Sequence, residues 1–297
     1  MDDDSGNENA HTPGRAGGRI TEATREGLRA ALGEMTPRQK GAEKAAQALD
    51  WVYRFGWSSS TVLGNIAGTG RRSALGSRLA RNGWLRRQPI RISSSYRVTP
   101  TDILTITPLG VAELTALKGE LPWSHNGAVA HRVVKKNVVH DLLVQKVTLQ
   151  YMGKWPDEVP DECISEYYGL VTKFVAEHQF GESTSRVKRP DVIWRMSGGL
   201  RLAVEVELSP KYGRELDQFI AGHVRMQQSD DDSVHGLVVF FASEAALDRY
   251  TAAMSHGSLI RDWLWDKDQR EWYSPPDLPR VEIGEHFRFI PILLPRI

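Results

Sequence analysis

Cysteine is almost absent from this 297-residue chain. Cys163 stands alone, which excludes an internal disulfide and any zinc site built from several thiolates, and fits a reducing compartment. Long apolar runs are missing as well. No stretch approaches the roughly 18–20 apolar residues of a membrane helix, so no membrane insertion is expected. The opening MDDDSGNENAHTPGRAGGR has no apolar h-region, and no secretory signal is read there. Residues 1–35 read instead as a disordered polar tail leading into an N-terminal helix. Acid is missing from one place in particular. Between Thr69 and Val98 lie eight Arg and neither Asp nor Glu. Across Thr36–Val98 twelve Lys or Arg face two acids, a net +10, which leaves −9 for the rest of a chain whose total is +1. Arginine crowding of one sign repels itself and is relieved by a polyanion. A polyanionic partner is expected, and with the helix-turn-helix pattern that follows it becomes double-stranded DNA.

The basic segment, 36–120, has the pattern of a helix-turn-helix. PRQKGAEKAAQALDWVYRF spaces Ala45, Leu49, Val52 and Tyr53 as one amphipathic helix, and Gly56 ends it. SSSTVLGNIAG offers Ser caps to a short helix through Val62, Leu63 and Ile66. In GRRSALGSRLARNGWL, Leu75, Leu79 and Trp84 face inward, with Arg71, Arg72, Arg78 and Arg81 outward. The second helix of such a pair lies in the major groove. Leu85–Ile92 and ILTIT read as two strands around a polar tip, and TPLGVAEL starts a helix with a Thr cap and an early Pro. The LTITPLGVAEL ending resembles the exit of winged-helix DNA-binding domains. That resemblance puts Arg86, Arg87 and Arg97 on or near the wing, against phosphates. A helical bundle with a basic face is the competing reading. Residues 121–135, with Pro, Gly and no periodicity, form a linker.

From 136 to 297 the pattern changes to α/β. KNVVHDLLVQKVTLQY is a helix with His140 beside its apolar face. LVTKFVAEHQF, RPDVIWRM and LRLAVEVEL are three strands joined by short turns, hence consecutive and antiparallel. A helix, PKYGRELDQFIAGHVRMQ, leads to the near-continuous apolar run VHGLVVFFAS, a strand covered on both faces. EAALDRYTAAMSH is another helix, and FRFIPILL a final strand. Trp263, Trp265 and Trp272 are expected in the core rather than on a partner. One strand carries a contradiction. Glu205 and Glu207 share a face of LAVEVEL, where buried carboxylates without partners cost several kcal/mol each. Converging with Asp191 where neighbouring strands splay, they would be compensated by a divalent cation, and oxygen ligands favour Mg²⁺ or Mn²⁺.

RPD and EVE together resemble the PD-(D/E)xK nuclease superfamily. The resemblance makes Asp191 and Glu205 metal ligands and sets Glu177, on the preceding strand, as a further one. Glu207 stands where that superfamily has Lys, and Lys211 is positioned to supply the ammonium instead. With the basic segment in front and His140 on the first helix, the chain resembles the MobC-type relaxases of mobilizable plasmids and related replication-relaxation proteins. What this implies is an α/β protein, a winged helix followed by a PD-(D/E)xK-like mixed sheet flanked by helices. It would be a bacterial, cytoplasmic enzyme that nicks one DNA strand at a plasmid transfer origin through His140, Glu177, Asp191, Glu205, Glu207 and Lys211. Accessory mobilization or transfer proteins are further candidate partners. Two alternatives stand beside it: a restriction- or repair-type endonuclease, and a DNA-binding regulator whose nuclease-like core has lost activity.

Overall fold

The computed structural model describes residues 35–68, 74–92, 100–119, 121, 138–151, 171–172, 190–195, 200–228, 234–266 and 268–294. The expected tail apart from Met35, the expected linker apart from Leu121, and Glu177, Arg71, Arg72 and Arg97 lie outside them. Thr36 and Gln39 open α1 (Pro37–Phe55) reciprocally. The Gln39 N–H donates to Thr36 Oγ1 at 3.2 Å and the Thr36 N–H to Gln39 Oε1 at 2.8 Å. With Pro first in the helix, this capping box satisfies orphan donors. The chain divides by compactness between Glu43 and Lys44, and the following concerns residues 44–297.

Here α1 buries Ala48, Leu49 and Val52. Gly56, at φ 78°, turns the chain through a region that other residues rarely adopt. In α2 (Ser60–Ile66) the Val62 N–H donates to the Ser59 hydroxyl. Leu75 and Leu79 turn inward from α3 (Leu75–Arg81), leaving Arg78 and Arg81 exposed. β1 (Leu85–Pro89) and β2 (Asp102–Ile106) form an antiparallel ribbon. α4 (Pro108–Lys118) begins at a Thr107 cap. A side chain at Gly110 would put its Cβ 2.1 Å from the Trp84 carbonyl oxygen, so only glycine lets α4 close on the ribbon.

The second layered body comprises α5 (Val138–Tyr151), β3 (Val171–Thr172), β4 (Val192–Arg195), β5 (Arg201–Glu207), α6 (Gly213–Gln228), β6 (Gly236–Phe241) and α7 (Glu244–Ala253). Its five-stranded sheet has the order β11-β6-β5-β4-β3, where β11 is Phe289–Leu293. β3, β4 and β5 are antiparallel neighbours, as the short turns predict, while β6 and β11 run parallel to β5. β6 is buried along its whole length. The chain is thus a mixture of helices and strands with a mixed sheet.

Alternation on β5 sorts the core into two. Leu202, Val204 and Val206, with Trp194 and Phe240, pack toward α5 and join one buried cluster that continues into α1–α4. Ala203, with Ile193, Val239 and Phe241, packs against α6 and α7. Gln145 of α5 ties the two parts of the first cluster together. Its Oε1 accepts from Trp51 Nε1 and Ser58 Oγ at 2.9 and 2.8 Å, and its amide donates to the Trp57 carbonyl at 3.0 Å. Burying that amide is tolerable because its hydrogen bonds are made.

Toward the C-terminus, β7 (Leu259–Ile260) pairs with β10 (Val281–Glu282), and β8 (Leu264–Asp266) with β9 (Glu271–Tyr273). The tryptophans depart from the expected core packing. Trp263 is half-buried and donates to Asp217, but Trp265 and Trp272 are 45% and 38% exposed. They oppose each other on a ribbon that has two strands among the described residues, and their shared face stays exposed. Among the described residues no helix is long and apolar enough to cross a membrane.

Candidate active site

Register builds the site. The β4–β5 ladder ends at the pair Val192 and Val204, and Asp191 stands just before it, beside β5 and on the wall of the cavity that Glu205 also lines. The Val206 N–H donates to Asp191 Oδ2 at 2.9 Å, which fixes the carboxylate against β5. His140, in the first turn of α5, places Nε2 3.2 Å from the same oxygen and 3.1 Å from the Val206 carbonyl. Its Nδ1 lies 3.4 Å from Asp141 Oδ1. Burial by itself lowers the imidazole, but the hydrogen bonds and charges of Asp141 and Asp191 outweigh it and push His140 up to about 10. At neutral pH it is an imidazolium gripping two carboxylates.

The buried glutamates answer the contradiction in LAVEVEL. Glu205 is 2% exposed and its Oε1 lies 3.1 Å from Nε2 of His223, itself 1% exposed on α6. Glu207 is paired with Lys211, whose ammonium also stands over the Phe219 ring at 4.8 Å. The Tyr250 hydroxyl completes this group. It accepts from the Lys211 N–H and hydrogen-bonds Glu207, and burial, aided by the Glu207 charge, pushes its own ionisation up. Each acid on the strand therefore has a partner supplied by the chain.

His140, Asp191, Glu205, Glu207, Lys211 and Glu215 line one cavity of about 360 Å³. Five of the six expected catalytic residues meet there; the sixth, Glu177, lies outside the described residues. His223, Tyr250, Asp141 and Glu215 carry no motif in the sequence. His223 had one faint signal, its place in the apolar stripe of Leu216, Phe219 and Ile220. Among the described residues no group of three or more His, Cys, Asp or Glu is arranged to hold a metal ion. Two carboxylates on the wall of one cavity, Asp191 and Glu205, do fit the mode in which Mg²⁺ or Mn²⁺ takes one or two carboxylates and fills its remaining positions with water and substrate phosphate.

Arg78, Arg81, Arg86 and Arg87 are all exposed on α3 and β1. Arg87 differs in having a structural partner. Its Nε donates to Asp102 at 2.8 Å, and that buried carboxylate also accepts from the Ser60 N–H at 3.0 Å. The basic segment meets the cavity through Trp57, whose indole N–H donates to Asp141 at 3.3 Å, the residue that holds His140. Compared with known proteins, the chain matches no family model, no curated protein and no solved structure.

Proposed function

We propose that the chain is a metal-dependent DNA endonuclease, a cytoplasmic relaxase of MobC type that nicks one strand at a plasmid transfer origin. The observation that carries this reading is that Asp191 and Glu205 line one cavity with Lys211 on its wall. Support for a PD-(D/E)xK-like core comes from the order α5, β3–β5, α6, β6, with antiparallel strands first and a parallel one last. Support for a winged helix-turn-helix comes from α2, α3, the β1–β2 ribbon and α4, with arginines exposed on α3 and β1.

In this reading Asp191 and Glu205 hold Mg²⁺ or Mn²⁺, and Glu177 is the third ligand implied by the resemblance. The bound ion supplies Lewis-acid polarisation of a phosphoryl oxygen and eases ionisation of water. The chain's own residues do the rest. His140 and the Val206 N–H fix Asp191 from two directions, and His223 fixes Glu205, so the two carboxylates need not reorganise when a phosphate arrives. Lys211 directs its ammonium toward the scissile phosphate or the attacking water, with Glu207 setting its position and serving as the alternative proton acceptor. Duplex bound along α3 and the ribbon brings the scissile strand to the cavity at high effective concentration.

One observation favours a second reading. Three carboxylates of the cavity already have an imidazole or ammonium partner from the chain itself, as in a DNA-binding regulator whose core no longer cuts. Supercoiled plasmid carrying a candidate origin separates the cases. With Mg²⁺ or Mn²⁺ a relaxase leaves one site-specific nick, and Asp191→Ala abolishes it while duplex affinity stays. Double-strand cuts at repeated sites point to a restriction- or repair-type enzyme. No cleavage with either ion overturns the endonuclease reading and leaves the regulator.

A further inference from the structure

Two arginines beside the cavity are held by rings rather than by acids. Lys211 and Glu215 line the cavity, and between them in the chain stand Tyr212 and Arg214. The Arg214 guanidinium lies 5.5 Å from the centre of the Trp272 ring, and that of Arg249 lies 3.8 Å above Tyr212. Among the described residues neither arginine makes an ion pair, and Arg214 Nε and Arg249 Nη1 are buried without a hydrogen-bond partner. Stacking on an aromatic face holds such a side chain flat and leaves its charge uncancelled.

The ribbon β8–β9 extends this surface. Trp265 and Trp272 oppose each other with ring centres 5.4 Å apart, and Tyr212 is 59% exposed. By alternation both Trp rings project from one face, while Asp266 and Glu271 project from the other with Leu264 and Tyr273. The aromatic face thus carries Arg214 and no acid from the ribbon. The Trp263 indole, bonded to Asp217, moors the ribbon to α6 close to the cavity wall.

Exposed rings interleaved with uncancelled arginines suit one ligand class. Unstacked bases lie on aromatic faces, and phosphates take the guanidinium charge. Duplex DNA offers no base faces to such a surface, and an apolar protein partner would leave two arginine charges without use. We propose that Trp265, Trp272 and Tyr212, with Arg214 and Arg249, form a platform for single-stranded nucleic acid at the rim of the cavity. It receives the strand that leaves the cleavage site, and for that placement it rests on the endonuclease reading.

The test is fluorescence anisotropy of a short labelled oligothymidylate titrated with full-length protein in EDTA. Wild type binds, and the double variant Trp265→Ala, Trp272→Ala binds about tenfold or more weakly, as expected for loss of stacked bases. Trp272→Phe keeps most of the affinity, and Arg214→Ala, which spares the ribbon, weakens it and flattens its salt dependence. Affinity for a duplex of equal length is unchanged in all variants. Equal oligothymidylate affinities for wild type and variants overturn the platform, as does a parallel loss on duplex. Self-association that disappears with the two Trp substitutions overturns it too, assigning the ribbon to a second copy of the chain. Because binding is read without metal, a wild type that never cuts DNA sinks only the endonuclease reading.

Discussion

His223 Nε2 and Glu205 Oε1 lie 3.1 Å apart with both side chains almost completely buried, 1% and 3% exposed. Such a pair is costly to split. His223→Ala leaves a carboxylate in a core of Ile193, Ala203 and Phe219, and is expected to destabilise the fold by about 3–5 kcal/mol. Replacing both, as in His223→Leu with Glu205→Leu, removes the stranded charge along with its partner and should cost far less than the single change. Urea unfolding of His223→Ala and of the double variant measures this directly. A double variant less stable than His223→Ala would show that the pair is not what compensates Glu205.

Lys211 occupies a different position, because Glu207 and the Phe219 ring hold it at the cavity wall. If its ammonium acts on phosphate or water, Lys211→Met lowers the single-turnover nicking rate by about 10² or more. Lys211→Arg, which keeps charge but not shape, recovers only part of it. Duplex affinity measured alongside should not move. Unchanged nicking by Lys211→Met would transfer the role to Glu207.

The carboxylates were legible because a strand announces itself. A period of two in LAVEVEL puts Glu205 and Glu207 on one face, and RPD at the start of the neighbouring strand brings Asp191 to the same cavity. Their partners were not legible. His223 is eighteen residues beyond Glu205 on a helix, and only the packing of α6 against the sheet brings the two together. Gln145 and Trp57 meet across 88 residues through a hydrogen bond that no local pattern encodes. The parallel pairing of β11 with β6 is likewise a tertiary choice. The tryptophans misled for a related reason. Hydrophobicity argues for burial, but on a two-stranded ribbon Trp265 and Trp272 have no covering layer among the described residues.

The arginines of the basic segment divide by what each already touches. Arg78 and Arg81 are exposed in the last turn of α3, where the proposed DNA-binding reading sets them against phosphates. Arg78→Ala or Arg81→Ala should each reduce the slope of log affinity against log salt by about 1, with the melting temperature unchanged. Arg87→Ala should behave differently. It withdraws a donor from buried Asp102, which holds the start of α2 through Ser60, so thermal stability falls as well. Salt titrations of duplex binding paired with thermal melts separate the two kinds. A melt unaffected by Arg87→Ala would mean that the Ser60 bonds suffice for Asp102.

His140 gives the fold a pH dependence of defined sign. Its imidazole ordinarily titrates near 6.5 and is raised to about 10 between Asp141 and Asp191. Below pH 6.5 the folded and unfolded chains both carry the proton, and its stabilising contribution is complete. As pH rises toward 10 only the folded chain keeps the proton, so folding becomes coupled to proton uptake and the contribution shrinks; above about 10 it is gone. His140→Gln has no such titration. In EDTA, the melting temperature of wild type should exceed that of His140→Gln most near pH 6.5, with the gap narrowing steadily toward pH 10. Because Asp141 also accepts from Trp57, the same rise in pH should loosen the connection between the basic segment and the cavity. The protection of the Trp57 indole N–H, taken as its exchange rate relative to the intrinsic rate at each pH, is expected to fall as the gap closes, and a gap that holds constant or widens would place the stabilising charge on a residue other than His140.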